Sequence, residues 1–247
     1  MDDPKLTVRS VERALDILLC FTDSTDLSLT EISQRISLHK STVHRLLASL
    51  EGKGFLLRDA STERYRLGYR VWELMANLTQ SDEPALVLLP EMERLRDLIG
   101  ETISLYVRDG NERIRIQAVQ SNHSIRRVAP VGARLPLYVG ASSKVLVAYA
   151  ESSVLEGLLS SPHCPEDMNK EAFAQQIREI VDAGFATSFE ERESGAAAFA
   201  APIFDRNGKL FAALSVSGPA SRWTWERMKQ YKDDIISVAS RMGNMIG

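Results

Sequence analysis

The sequence predicts an α+β protein: an N-terminal winged helix-turn-helix domain, a connecting helix, and a larger C-terminal domain with a mainly antiparallel sheet. Three observations carry this. Apolar residues recur at three- and four-residue steps through the first fifty positions; two short, arginine-rich β-prone runs follow; and from Thr102 the apolar period becomes two, with turn sequences between the runs. With 247 residues and 44% hydrophobic content, the chain can build two domains with cores of their own. The boundaries read as 1–70 for the winged helix, 71–84 for a linker helix and 85–247 for the second domain.

Taken in order, Val8, Val11, Leu15, Leu18 and Leu19 mark "VRSVERALDILLCF" as an amphipathic first helix. After the polar loop "TDSTDLSL", Thr30 stands where it can cap a short helix over "EISQRI", with Glu31 in the first turn. Val43, Leu46, Leu47 and Leu50 then fall at i, i+3, i+4 and i+7 and form the buried stripe of a third helix, which Gly52 and Gly54 interrupt. "FLLRDA" and "RYRLG", separated by "STE", read as a hairpin with Arg58, Arg64 and Arg66 near its tip and outer face. Helix, helix, turn, helix and basic hairpin is the order of a winged helix-turn-helix.

A helix over "YRVWELMANLTQ" and a break near "SDEP" lead to "ALVLLPEMERLRDLIG", where Pro90 marks a first-turn position or a kink. Strands are predicted at "ISLYV", "RIRIQAV", "SIRRVAPV", "AAAFAAPIFD" and "LFAALSVSG". Helices are predicted from "SSKVLVAY" to "LEGLLS", over "KEAFAQQIREIVDAGF", and from about Thr224 to Met245.

Composition narrows the function classes. No apolar run of membrane-spanning length occurs, and "MDDPK" leads into no signal-peptide core, so the expected location is the cytoplasm, with no membrane partner. Cys20 and Cys164 lie far apart and suggest neither a disulfide framework nor a metal knuckle. The net charge of -3 hides an asymmetry: from Gln34 to Arg70 eight lysines and arginines face three acids. A local surplus of five positive charges on an acidic chain suggests a polyanionic partner.

The third helix supplies the contacts that such a partner needs. Its aliphatic stripe packs inward, which leaves Lys40, Ser41, Thr42, His44 and Arg45 to face outward or sideways. Ser41 and Thr42, near the helix start, can meet phosphates; Arg45, one turn in, reaches a guanine edge. The residues alone also allow a plain alternative, in which the hydroxyls cap the helix and Arg45 is solvated.

Enzymatic readings find little to build on. His163 and Cys164 are adjacent in "SSPHCPED" without an orienting third group, and no metal-protease, phosphate-loop or dinucleotide motif occurs. Glu190, Glu191 and Glu193 in "EERES" read as the rim of a pocket and a solvated turn rather than a paired-acid site. The expectation is therefore no catalytic residue, no metal and no cofactor.

Taken together, "RALDILLCF", "LSLTEISQRISLHKSTVHRLLASLEGKGFLLRD", "YRLG", "LPLYVGASSKVLVAY" and "GFATSFEERESGAAAFAAPIFDRNGKLFAALSVSGPASR" resemble the IclR-type bacterial transcription regulators, in order and spacing over nearly the whole chain. The resemblance implies a winged helix joined to a GAF-like effector domain, a homodimer paired through its DNA-binding halves and often a homotetramer, a palindromic double-stranded operator, and repression more commonly than activation. It also implies an effector site for a small organic acid: Ala141 and Ser142 at a helix start, Leu135 on the adjacent apolar segment, Ser188 and Glu190 upstream of Gly195, Ala198 on a strand, and Ser215 and Ser217. A relative carries an acid at the position of Ser188 and a cysteine at that of Ala198, so ligand identity does not transfer. The residues lend their own support: Ser215 and Ser217 share one strand face, and a helix starting near Ala141 turns its positive end toward an anion.

Overall fold

The computed structural model describes residues 7–80, 84–124 and 130–246, and the chain divides into two compact units, Met1–Glu83 and Pro84–Gly247. In the first unit, α1 (Arg9–Leu19), α2 (Leu29–Arg35) and α3 (Lys40–Gly52) precede a two-stranded antiparallel hairpin of β1 (Leu56–Arg58) and β2 (Tyr65–Leu67), and α4 (Tyr69–Gln80) closes the unit. Ile17, Phe21, Leu27, Ile32, Val43, Leu47, Leu56 and Tyr65 form its core.

Two expectations change here. The face that α1 buries carries Ile17 and continues into Cys20 and Phe21, whereas Val8, Val11, Leu15 and Leu19 are each more than half exposed. The helix thus has two apolar faces, and the longer stripe is the outer one. The cap of α2 is Ser28 rather than Thr30: its hydroxyl accepts from the Glu31 N–H, and the Glu31 carboxylate accepts from the Ser28 N–H at 2.7 Å. This is a reciprocal capping box that starts the helix two residues earlier. Leu27 also pairs with Tyr65, which ties the loop before α2 to the hairpin. At Gly68 a Cβ would sit 2.2 Å from the Gly54 carbonyl oxygen, so only glycine lets the end of the hairpin pass this close to the end of α3.

In the second unit, α5 (Pro84–Val87) and α6 (Leu89–Ile99) replace the single helix expected, with Pro90 in the first turn of α6, where its missing N–H costs nothing. The sheet comprises β3 (Thr102–Asp109), β4 (Glu112–Val119), β5 (Arg134–Pro136), β6 (Ala186–Phe189), β7 (Ala196–Phe204) and β8 (Leu210–Pro219). Its order is β5-β4-β3-β8-β7-β6, with every pair antiparallel. The strand expected at "SIRRVAPV" and the break at "SDEP" fall largely outside the described residues, while the short strands β5 and β6 were not foreseen.

Helices cover both faces. α6 and α10 (Trp225–Asn244) pack with Ile103, Leu105, Phe199, Leu214, Val216 and Trp223 into one core. α7 (Ala141–Ala148), α8 (Ser152–Ser160) and α9 (Lys170–Ala183) pack with Tyr106, Ala200 and Ala213 into a second. Because neighbouring strand residues point to opposite faces, Leu214 and Val216 enter the first core while Ser215 and Ser217 turn toward α7. Among the described residues no helix is long and apolar enough to cross a membrane.

Candidate functional site

Two surfaces follow from this framework. On α3 the core takes Val43 and Leu47, with Leu46 and Leu50 half-buried, so Lys40, Ser41, His44, Arg45 and Ser49 stand exposed along the opposite side and Thr42 lies at its edge. His39 caps the helix, its Nδ1 facing the Ser41 N–H and, at 2.8 Å, the Ser41 hydroxyl. The exposed strip is narrow, polar and cationic, as a helix that enters a major groove requires.

The hairpin arginines part company. Arg66 is exposed on β2. Arg58 lies over the Tyr65 ring, 5.8 Å from its centroid, and pairs with Glu63 at 2.7 Å. Arg64 instead turns back to Asp26 at 2.5 Å and Glu31 at 3.0 Å, where it braces the hairpin against the start of α2. Its guanidinium is thus paired with two carboxylates of its own unit. The tip is set by Asp59, whose carboxylate accepts from the Ser61 hydroxyl and from the Ser61 and Thr62 N–H groups. These hydrogen bonds, the Ser61 hydroxyl first, hold its pKa down at about 2.

In the second unit a cavity of about 50 Å³, several times what one water needs, opens at the start of α7. Ala141, Ser142, Ser188, Ala198, Ser215 and Ser217 all line it, so residues from four separate elements meet there. Two expected members do not. Leu135 is half-buried on β5 and packs into the α7–α9 core. Glu190 adopts a left-handed backbone (φ 55°) and spends its carboxylate on the Gly195 N–H at 2.6 Å, which closes the loop that carries Arg192 and Glu193.

The acid that reaches the helix start is Glu191. One of its oxygens accepts from the Gly140 N–H at 3.0 Å and the other pairs with Lys144, which is buried and also donates to the Thr187 carbonyl at 3.0 Å. Gly140 has φ 93°, and a Cβ there would meet the Arg113 guanidinium at 3.1 Å. Glycine at this position answers both demands.

Sequence reasoning missed Tyr106, Arg113, Arg115 and Arg192, which line the cavity together with Glu193, one of the acids expected at its rim. Arg113 and Arg115 are each only 3% exposed; Arg113 Nη1 donates to the Val139 carbonyl at 2.6 Å and Arg115 Nη2 to the Ser104 hydroxyl at 2.5 Å. Their guanidinium carbons lie 5.2 and 5.6 Å from the centroid of the Tyr106 ring. A signal was present: in "ERIRIQAV" the two arginines share one strand face, and a sheet covered by helices on both sides turns that face inward.

Guanidiniums, serine hydroxyls and a helix N-terminus around a small cavity are chemically suited to an anion, since the first N–H groups of a helix have no partner within it. No histidine or cysteine is among the described residues lining it. Among the described residues no three His, Cys, Asp or Glu side chains gather to hold a metal ion. His163 is exposed and Cys164 half-buried on a loop, with the Cys164 sulfur 3.8 Å from that of Met168.

Residues 10–60 match the family model of the IclR helix-turn-helix domain, and residues 79–244 match that of the bacterial transcriptional regulator IclR C-terminal domain. The chain is 31% identical over 240 residues to the transcriptional regulator BhcR of Paracoccus denitrificans, covering 95% of this chain and 86% of the relative. It is 29% identical over 252 residues to the transcriptional repressor IclR of Escherichia coli, covering 95% and 89%. A crystal structure of an IclR homolog from Microbacterium hydrocarbonoxydans complexed with 4-hydroxybenzoate superimposes with a TM-score of 0.81 at 26% identity, covering 95% of this chain and 98% of the other.

Proposed function

The chain belongs to the IclR family of bacterial transcriptional regulators and is a DNA-binding regulator of transcription rather than an enzyme, and from that premise we propose that it is a cytoplasmic repressor whose operator affinity is set by a small carboxylate held in the cavity at the start of α7. The observation that carries the effector is the meeting of two buried arginines and four serines at one helix N-terminus. The solved relative with 4-hydroxybenzoate, itself a carboxylic acid, supports the ligand class, and the repressor from Escherichia coli supports the sign of regulation.

The DNA side of the proposal rests on the exposed strip of α3, with Arg45 at a base edge and Lys40, Ser41 and Thr42 at phosphates, while Arg58 and Arg66 lie along the backbone or minor groove. The protein acts as a dimer on a roughly palindromic operator. The effector changes occupancy only through unequal affinity for the DNA-competent and DNA-incompetent arrangements of the protein.

Fluorescence anisotropy with the DNA upstream of its own gene, across a salt series and against unrelated competitor DNA, tests the reading. Specific binding that weakens steeply with salt is expected, and equal, weak binding to both DNAs would overturn the choice of operator. Substituting Ser215 and Ser217 together with Ala should weaken the response to added small acids and leave effector-free DNA affinity unchanged. An undiminished response would remove these hydroxyls from the site.

A further inference from the structure

We propose that α1 makes a DNA contact of its own: Arg13, with Ser10 beside it, holds a backbone phosphate at the edge of the major groove that α3 enters. The inference rests on reading α3 as the DNA-reading helix and extends the interface to a second element.

Ser10, Arg13 and Ile17 are spaced i, i+3 and i+7 and share one face of α1. Near the end of the helix this face carries Ile17 into the core; near its start it runs past the core and meets the exposed side of α3. There a groove of about 330 Å³ opens between the two helices, lined by Ser10 and Arg13 from α1 and by Thr42, Arg45, Leu46 and Ser49 from α3. The outer stripe of Val8, Val11, Leu15 and Leu19 lies on the opposite side of α1, so covering the stripe does not cover this face.

The charge of the groove is one-sided. Two guanidiniums and three hydroxyls line it, and no carboxylate is among its described lining residues. Arg13 and Arg64 are the two half-buried arginines described in the first unit. Arg64 is paired with Asp26 and Glu31, whereas Arg13 has neither a hydrogen bond nor an ion pair among the described residues. Two like charges that face one cleft repel each other until an anion enters between them. The Ser49 hydroxyl donates to the Arg45 carbonyl at 3.0 Å, so Ser10 and Thr42 are the hydroxyls left to donate to that anion. A guanidinium fork and short hydroxyl donors are the groups that proteins turn to the phosphates of a duplex. The phosphate is held without regard to sequence, while Arg45, on the other wall of the groove, reads the base beside it.

Fluorescence anisotropy with the full-length protein and two labelled duplexes, the upstream DNA and one of unrelated sequence, tests this across a salt series. Arg13→Gln should reduce the slope of log affinity against log salt by about one on both duplexes, and Arg13→Lys, which keeps the charge, should leave it near the wild-type value. Ser10→Asp puts a negative charge in the groove and also in the first turn of α1, where the helix dipole favours it. It should leave the thermal midpoint unchanged or raise it, while weakening binding to both duplexes by about tenfold at low salt. Lost stability cannot produce that combination, so this variant decides the matter if Arg13→Gln fails to fold. An unchanged slope in folded Arg13→Gln, or undiminished affinity in Ser10→Asp, would overturn the contact. A loss confined to the upstream duplex would make Arg13 a base reader and overturn its phosphate role. Wild-type binding that is flat with salt on both duplexes would overturn the DNA-reading role of α3 and this inference with it.

Discussion

Arg45, Arg64 and Arg66 show how little a residue type says before its neighbours are known. All three are arginines in the basic stretch, yet Arg45 and Arg66 stand exposed while Arg64 is bound to Asp26 and Glu31. Arg45→Ala should cost about 1 to 3 kcal/mol of operator affinity and relax sequence preference at one position. Arg66→Ala should weaken binding to all DNAs alike and reduce the slope of log affinity against log salt by about one. Arg64→Ala should leave that slope unchanged and lower the thermal midpoint instead, because what it loses is a brace between hairpin and α2. Anisotropy titrations and melting curves on the three variants separate these outcomes.

At the scale of elements, α2 is short, and its start depends on the capping box. The Ser28 N–H and hydroxyl, followed by Arg64, hold the Glu31 carboxyl at about 2 against an ordinary 4.5. The folded state thus binds fewer protons than the unfolded chain over that interval. The stabilisation is full above about pH 4.5 and is lost as pH falls through about 2. Glu31→Gln should lower the melting temperature at pH 6 and flatten its fall on acidification through this window, as circular dichroism would record. A wild-type pH dependence retained in the variant would place the acid sensitivity elsewhere, with Asp59 next in line. In β4 a period of two brings both arginines to the cavity side.

At the scale of the molecule, the outer stripe of α1 calls for a partner. Val8, Val11, Leu15 and Leu19 are 54 to 62% exposed, and in the same unit α4 exposes Tyr69 and Trp72 at 70 and 66%. Large apolar side chains in such number on one small unit mark an association surface. A second copy meeting it about a twofold axis would give the dimer proposed above for a palindromic operator. If that dimer forms, Leu15→Asp should convert it to monomer in sedimentation velocity and weaken operator binding, with little effect on the melting of the second unit. A variant that stays dimeric would move the interface away from α1.

Much of this was legible in the chain. Periodicity located α1, α3, α6, α9 and α10 and the strands β3, β4, β7 and β8, because a helix or strand that packs on one side writes its period into the sequence. Patterning put Ser215 and Ser217 on one strand face, and the family resemblance grouped them with Ser142 and Ser188, which line the same cavity. Three-residue β5, four-residue β6 and the Leu27–Tyr65 bridge were not legible, since pieces so short carry no period. Nor was the choice of face on α1, where both apolar sides satisfy the same pattern. The sequence by itself determined the class of fold and the order of its longer elements. Only the tertiary structure decided which arginines are spent on neighbours and which line the cavity, because the partners of Arg64 lie 38 and 33 positions away and Arg113 and Arg115 meet residues of β3 and of the segment before α7. Local sequence records what a residue can do; the long-range contacts that folding creates select which of those possibilities it does.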